Sequence, residues 1–119
     1  MTIREAITLS AAVTGQTFPD SVPVRWLSEY DGRLAREFYR AEEFTPYSAS
    51  DMDRELLVPF PYDGTYPHYL NAMTHQTAGE TDRYEQERRL SEEFITAYRA
   101  YMQRDHARPC RPGFPFGGE

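Results

Sequence analysis

Leu56-Leu57-Val58-Pro59-Phe60-Pro61-Tyr62-Asp63, together with the run that follows it to His106, decides how this chain folds. Pro59 and Pro61 forbid helix and leave an extended apolar strap. Leu56, Leu57 and Val58 need cover from the protomer's own core or from a neighbour, and a short edge strand suits them because proline is tolerated at such an edge. Beyond the strap the pattern is helical almost throughout. An extended apolar strap feeding long amphipathic helices suits a part that packs against copies of itself or against a larger body. It does not resemble a scaffold for a reaction site.

The helix after the strap begins near Asp63 or Thr65, with Thr65 as the cap because that places Pro67 in the first turn. Tyr66, Tyr69, Leu70, Met73 and Thr77 share one of its faces. Gly79 either is passed through or breaks it. From Glu80 to about His106 the pattern predicts a helix of roughly 27 residues, about 40 Å long. Its apolar face is Leu90, Phe94, Ala97, Tyr98, Tyr101 and Met102, and its outer face carries the pairs Glu85–Arg89, Arg88–Glu92 and Arg89–Glu93.

Upstream, Thr2 and Glu5 form a capping box for a helix reaching Thr14, with Ile3, Ala6, Ile7 and Val13 on its inner face and Gly15 as its left-handed stop. A second helix starts at Asp20 as N-cap, with Pro23 in the first turn. Val22, Trp26, Tyr30, Leu34 and Phe38 recur at four-residue steps along it, with Leu27 and Ala41 alongside, and Glu29, Arg33 and Glu37 make a charge ladder on the wet side. Gly32 interrupts this helix, which implies either a bend or a close neighbour. From Glu43 to Tyr62 the helical pattern fails. The expected fold is therefore all-α: a small bundle of about four helices with a long C-terminal helix and a proline-rich central loop. Residues 1–106 form the helical domain and 107–119 a flexible Pro/Gly-rich tail. Phe114 and Phe116 in that tail are a candidate docking arm.

The chain has 119 residues, 27% charged and 14% aromatic, with a formal net charge of −6. That is one domain, too aromatic for a disordered chain. The acidic balance argues against a general nucleic-acid binder. Every basic residue is Arg, whose planar guanidinium makes contacts that Lys does not. No run of apolar residues is long enough to span a membrane, and the N-terminus lacks a signal-peptide core, so synthesis in a cytosol is expected. The single Cys110 allows no internal disulfide and no zinc cluster. His68 and His75 are seven residues apart, whereas metal-binding pairs on a helix sit three or four apart, and His106 suits the dipole at a helix end. Asp51, Asp53 and Glu55 lack the glycine and closing acid of a calcium loop. Glu42–Glu43 and Glu92–Glu93 read as solvent faces. No phosphate loop, dinucleotide fingerprint or nucleophile elbow is present. Neither an enzyme nor a cofactor is expected. Tyr and Arg are enriched at interface hot spots, and this chain holds nine Tyr and 13 basic residues. The candidate interface is Leu56, Leu57, Val58, Phe60, Tyr62, Tyr98, Tyr101, Phe114 and Phe116.

Several blocks carry a resemblance. Arg4-Glu5-Ala6 is followed by Phe18-Pro19-Asp20 and by Arg25-Trp26-Leu27-Ser28-Glu29-Tyr30-Asp31-Gly32-Arg33. Glu55-Leu56-Leu57-Val58-Pro59-Phe60-Pro61-Tyr62-Asp63 and Tyr66-x-x-Tyr69-Leu70 come next, then Gly79-Glu80-x-x-Arg83-Tyr84 and Phe94-x-x-Ala97-Tyr98. In this order they resemble head–tail connector, or neck adaptor, proteins of tailed phages and prophages of Gram-positive bacteria, over about residues 1–106. Gly64-Thr65, Pro67 and the polar run Met73 to Thr77 depart from the more acidic and more Leu-rich helix of that family. The resemblance implies a helical subunit of a ring, commonly twelve-fold, below the portal protein. Such a ring carries the next neck or tail component and lets DNA pass through its channel without specific binding. It implies a virion location, with the host cytoplasm during assembly, and no membrane. A ring needs two different patches per subunit; the strap and the Tyr/Arg-rich face of the last helix are the expected pair. The alternative is a small cytosolic regulator or inhibitor that binds one protein, but the interleaved acids and arginines of the last helix lack the acidic stripe of a DNA mimic.

Overall fold

The structure is a computed structural model that describes residues 1–106. It is all-α, with four helices: α1 (Ile3–Thr14), α2 (Ser21–Tyr39), α3 (Thr65–Thr77) and α4 (Thr81–His106). Ala49–Asp51 and Tyr62–Gly64 form single 3₁₀ turns in the long connection between α2 and α3. Phe114, Phe116 and Cys110 lie outside the described residues.

The first helix forms as its residues dictate. The Thr2 hydroxyl accepts from the Glu5 N–H at 3.1 Å, and the Glu5 carboxylate accepts from the Thr2 N–H at 2.8 Å. Gly15 ends the helix at φ 72°. The remaining free N–H groups of the first turn reach the central linker. Ile3 N–H donates to the Arg54 carbonyl at 3.1 Å and Arg4 N–H to that of Met52 at 2.8 Å. The linker makes one isolated antiparallel bridge, Thr2 to Glu55, rather than an edge strand.

Three details of the helix register differ from the sequence reading. Val13, placed on the inner face of α1, is 71% exposed, because α1 buries only the side marked by Ile3, Ala6 and Ser10. Asp20 holds the N-cap position of α2 with helical backbone and caps nothing with its side chain. Thr65 is the first residue of α3 rather than its cap, because the 3₁₀ turn at Tyr62–Gly64 runs straight into the helix and leaves no extended residue in between. Its hydroxyl turns inward and is fully buried.

Gly79, at φ 78°, separates α3 from α4. The pairings His75–Glu80, His68–Glu87 and Thr65–Ser91 run in opposite senses along the two helices, so α3 and α4 form an antiparallel hairpin. α2 lies parallel to α4, meeting it through Tyr30–Ser91, Phe38–Tyr98 and Glu37–Arg99. α1 covers α3, with Ser10 bonded to Asn71 at 2.7 Å. The core between them is Ile3, Leu27, Leu34, Val58, Tyr66, Leu70 and Ile95 with their neighbours. On α4 the buried line is Ser91, Ile95 and Tyr98, while Ala97 and Tyr101 face outward. The helix is thus turned from the face assigned by sequence. None of the three expected pairs along α4 forms an ion pair; Arg99 instead bridges to Glu37 at 2.6 Å.

The two glycines inside the bundle carry opposite demands. Gly32 leaves α2 unbroken, and a Cβ there would meet the Phe44 ring at an ordinary 3.5 Å. A Cβ at Gly64 would lie 2.6 Å from the Phe94 ring, which is stacked on His68. Gly32→Ala is expected to raise stability by about 0.5–1 kcal/mol. Gly64→Ala is expected to lower it by about 1–3 kcal/mol. Urea denaturation followed by circular dichroism reads both signs.

Candidate interaction surface

The strap is held from within. Asp31, fully buried on α2, is the anchor. Its Oδ2 accepts from the Tyr47 hydroxyl at 2.5 Å and from the Leu57 N–H at 3.1 Å, and its Oδ1 accepts from the Tyr66 hydroxyl at 2.6 Å. The Tyr66 oxygen accepts in turn from the Val58 N–H at 2.8 Å. Burial pushes the Asp31 carboxyl above the ordinary carboxylate value, and the three donors pull against that. Burial next to Asp31 also drives the Tyr66 phenol well up. These bonds draw Leu56 and Val58 into the core, with Val58 only 1% exposed.

This placement divides the sequence-predicted interface. Leu56, Val58 and Tyr98 are core residues, and Leu57 is half-buried. The strap is therefore covered mainly by its own protomer. Its one projecting apolar side chain is Phe60, 84% exposed between two prolines. The structure does bring Tyr62, Tyr98 and Tyr101 together, with ring centroids 5.4 to 6.2 Å apart. Tyr39 joins them through a 2.5 Å hydroxyl–hydroxyl bond to Tyr98. Burial and the Tyr39 hydroxyl drive the Tyr98 phenol up. Tyr101 and Tyr39 are the exposed members of this group.

Sequence reading missed the surface that gathers around Phe60. Leu9 (47% exposed) borders it together with Met1, Arg4, Glu5, Thr8 and Asp63, and Val13 lies one helical turn beyond Leu9. The signal was the i, i+4 step Glu5–Leu9–Val13, a second stripe on a helix already given one inner face. Asp31 was equally legible as the charged residue interrupting the apolar line Leu27–Asp31–Ala35.

Three arginines lie over aromatic rings. Arg33, Arg54 and Arg99 sit 5.5, 5.2 and 5.7 Å from the ring centroids of Tyr30, Tyr47 and Phe38. The ladder Glu29–Arg33–Glu37 is therefore redistributed, with Glu29 pairing to Arg25 and Glu37 to Arg99.

His68 ties α3 to α4, and His75 ties the end of α3 to the turn before α4. His68 Nδ1 lies 2.7 Å from Glu87, whose oxygen also accepts from the Asn71 amide at 3.1 Å. His75 Nδ1 lies 2.7 Å from Glu80 across the α3–α4 turn. Asp51 caps the turn at Ser48, Asp53 pairs with Arg4, and Glu55 pairs with the N-terminal amine. Among the described residues no three His, Cys, Asp or Glu side chains converge as a metal site, and no helix is long and apolar enough to cross a membrane.

Asp31→Ala strands three donors, the hydroxyls of Tyr47 and Tyr66 in the interior and the half-buried Leu57 N–H, and is expected to cost roughly 3–5 kcal/mol. Asp31→Asn keeps one acceptor oxygen and costs less. In the wild type the raised carboxyl keeps its proton in the folded chain at pH values where the unfolded chain has released it. Its contribution to stability is complete below the ordinary value of 3.8 and is lost as pH rises through the elevated folded value. Asp31→Asn removes that fall, so urea midpoints measured across pH change less above 3.8 than in the wild type. In the strap, Leu56→Ala is expected to cost about 2–5 kcal/mol, whereas Phe60→Ala leaves stability within about 0.5 kcal/mol. The same denaturation assay separates them.

Compared with protein-family models, curated proteins and solved structures, the chain finds no match.

Proposed function

We propose that the chain is a structural virion subunit, a head–tail connector or neck adaptor that forms a ring below the portal protein and links head to tail. The observation that carries this reading is that exposed Phe60 and Leu9 border one surface, with exposed Val13 one turn further along α1; these are three of the five large apolar side chains exposed among the described residues. Apolar side chains grouped in this way on a small soluble domain mark a protein-binding surface rather than a solvated one. The segment that presents Phe60 is the same L-V-P-F-P-Y-D strap that carries the resemblance to connector proteins. The aromatic group at Tyr39 and Tyr101 offers a second, different patch on α2 and α4, and a ring requires two. The net charge of −6 suits a wall past which DNA slides without sticking. On this reading the partners are further copies of the chain, the portal protein and the next neck or tail component, and the site of action is the virion, reached from the host cytoplasm during assembly.

Mass photometry of the purified protein, alone and mixed with the portal ring of the same genome, tests the proposal. The expected result is a ring-sized species or a portal ring enlarged by several copies of the chain. Strict monomers in both samples overturn it.

A further inference from the structure

The surface at Phe60 and Leu9 is mostly apolar, and its charge is unbalanced. Arg4 bridges to Asp53 at 3.1 Å, and the Met1 amine bridges to Glu55 at 3.2 Å and to Asp63 at 3.3 Å. Glu5 also borders Phe60, and its carboxylate accepts from the Thr2 N–H. Four carboxylates thus stand against two cations. An occupant with aromatic rings and surplus positive charge complements such a surface; a neutral or acidic one does not.

The chain carries a segment of that chemistry. Residues 107–116 hold Arg108, Arg111, Phe114 and Phe116 and no acid. The segment also starts within reach. α4 ends at His106, and Tyr101 lies five residues, about 7.5 Å, before that end. The Tyr101 ring is 5.6 Å from that of Tyr62, and Tyr62 is two residues from Phe60. From His106 to Phe114 an extended chain spans up to roughly 26–29 Å. The groove between α2 and α4 is nearer to the helix end, but Glu37, Arg40 and Arg99 line it, a net positive set that disfavours two more arginines.

We propose that residues 107–116 fold back over the Phe60–Leu9 surface of the same chain and cover it until an assembly partner displaces them. Phe114 and Phe116 meet its apolar side chains, and Arg108 and Arg111 meet its carboxylates. The proposal rests on the reading of that surface as the assembly site and adds its regulation. A cover tied by a short linker acts at an effective concentration on the order of mM. It therefore shields the surface from weak contacts and yields to a partner that binds more tightly.

Cys110 is the single cysteine and lies inside the segment, so a nitroxide attached there reports where the segment sits. Amide NMR of the isotope-labelled, full-length chain reads the paramagnetic broadening. The expected result is loss of signal at Thr8, Leu9, Phe60 and Asp63. Phe114→Ala/Phe116→Ala is expected to restore those signals. Arg108→Glu/Arg111→Glu and added salt are expected to restore them in part. Broadening at these residues that survives Phe114→Ala/Phe116→Ala unchanged overturns the proposal. So does broadening centred on Arg40 or on Trp26, or broadening confined to the end of α4. An isotope-labelled Cys110→Ser chain mixed with nitroxide-bearing copies tests for contact between copies; broadening of Leu9 and Phe60 there places the segment on a second copy and overturns the proposal too. In the portal mixture, Phe114→Ala/Phe116→Ala is expected to load at a several-fold lower concentration than the wild type, and equal loading overturns the covering role. If neither chain loads, the ring reading falls and the covering role with it, while the broadening still decides the docking.

Discussion

A buried carboxylate organises this bundle. Asp31 reaches out from α2 to a backbone N–H of the strap, to a tyrosine of the central linker and to a tyrosine of α3. Three pieces of chain far apart in sequence thus meet at one side chain. A carboxylate withdrawn from water is costly unless its acceptor sites are filled. Because each donor comes from a different segment, filling them fixes where the segments go. The strap, which has no regular partner strand, is positioned by these bonds and not by a sheet.

Two further polar ties repeat the arrangement. Tyr30, Thr65 and Ser91 join α2, α3 and α4 through hydroxyl contacts of 2.6 to 3.1 Å. Ser10, Asn71, Glu87 and His68 run from α1 through α3 to α4. Each tie crosses helices whose apolar faces alone would permit sliding or rotation. α3 supplies Thr65, His68 and Asn71 to these ties. Small bundles have limited apolar area to bury, and specific hydrogen bonds in the interior narrow the arrangements left open to them.

The rigidity of that interior bears on the proposed role. Leu56 and Val58 are spent on the core, so the strap offers partners one projecting ring rather than a flexible apolar ribbon. A ring held from behind loses little conformational freedom when it docks, which favours its use as an anchor. The tyrosines divide in the same way: Tyr66, Tyr69 and Tyr98 are interior, and Tyr39 and Tyr101 remain outside. An assembly subunit needs both kinds, one to define its shape and the other to meet its neighbours.

Much of the architecture was written in local pattern. The capping box of α1, the glycine stop at 15, the four helices and the long last helix all follow from short-range rules about caps, periodicity and breakers, whereas local pattern left open whether Gly79 breaks the chain between α3 and α4. Which face each helix turns inward did not follow as well, since Val13 and Ala97 face out and Ile95 faces in. Amphipathic stripes on α1 and α4 are wide enough to admit a rotation, and the hydrogen-bonded ties between helices choose among the rotations. The fate of the strap lay further still from local pattern. Sequence alone determined that Leu56, Val58 and Phe60 are apolar and lie outside any α-helix. Only the tertiary structure decided that the first two are buried and the third is presented, because that choice depends on Asp31, 26 residues from its strap partner Leu57, meeting donors that no local rule connects to it.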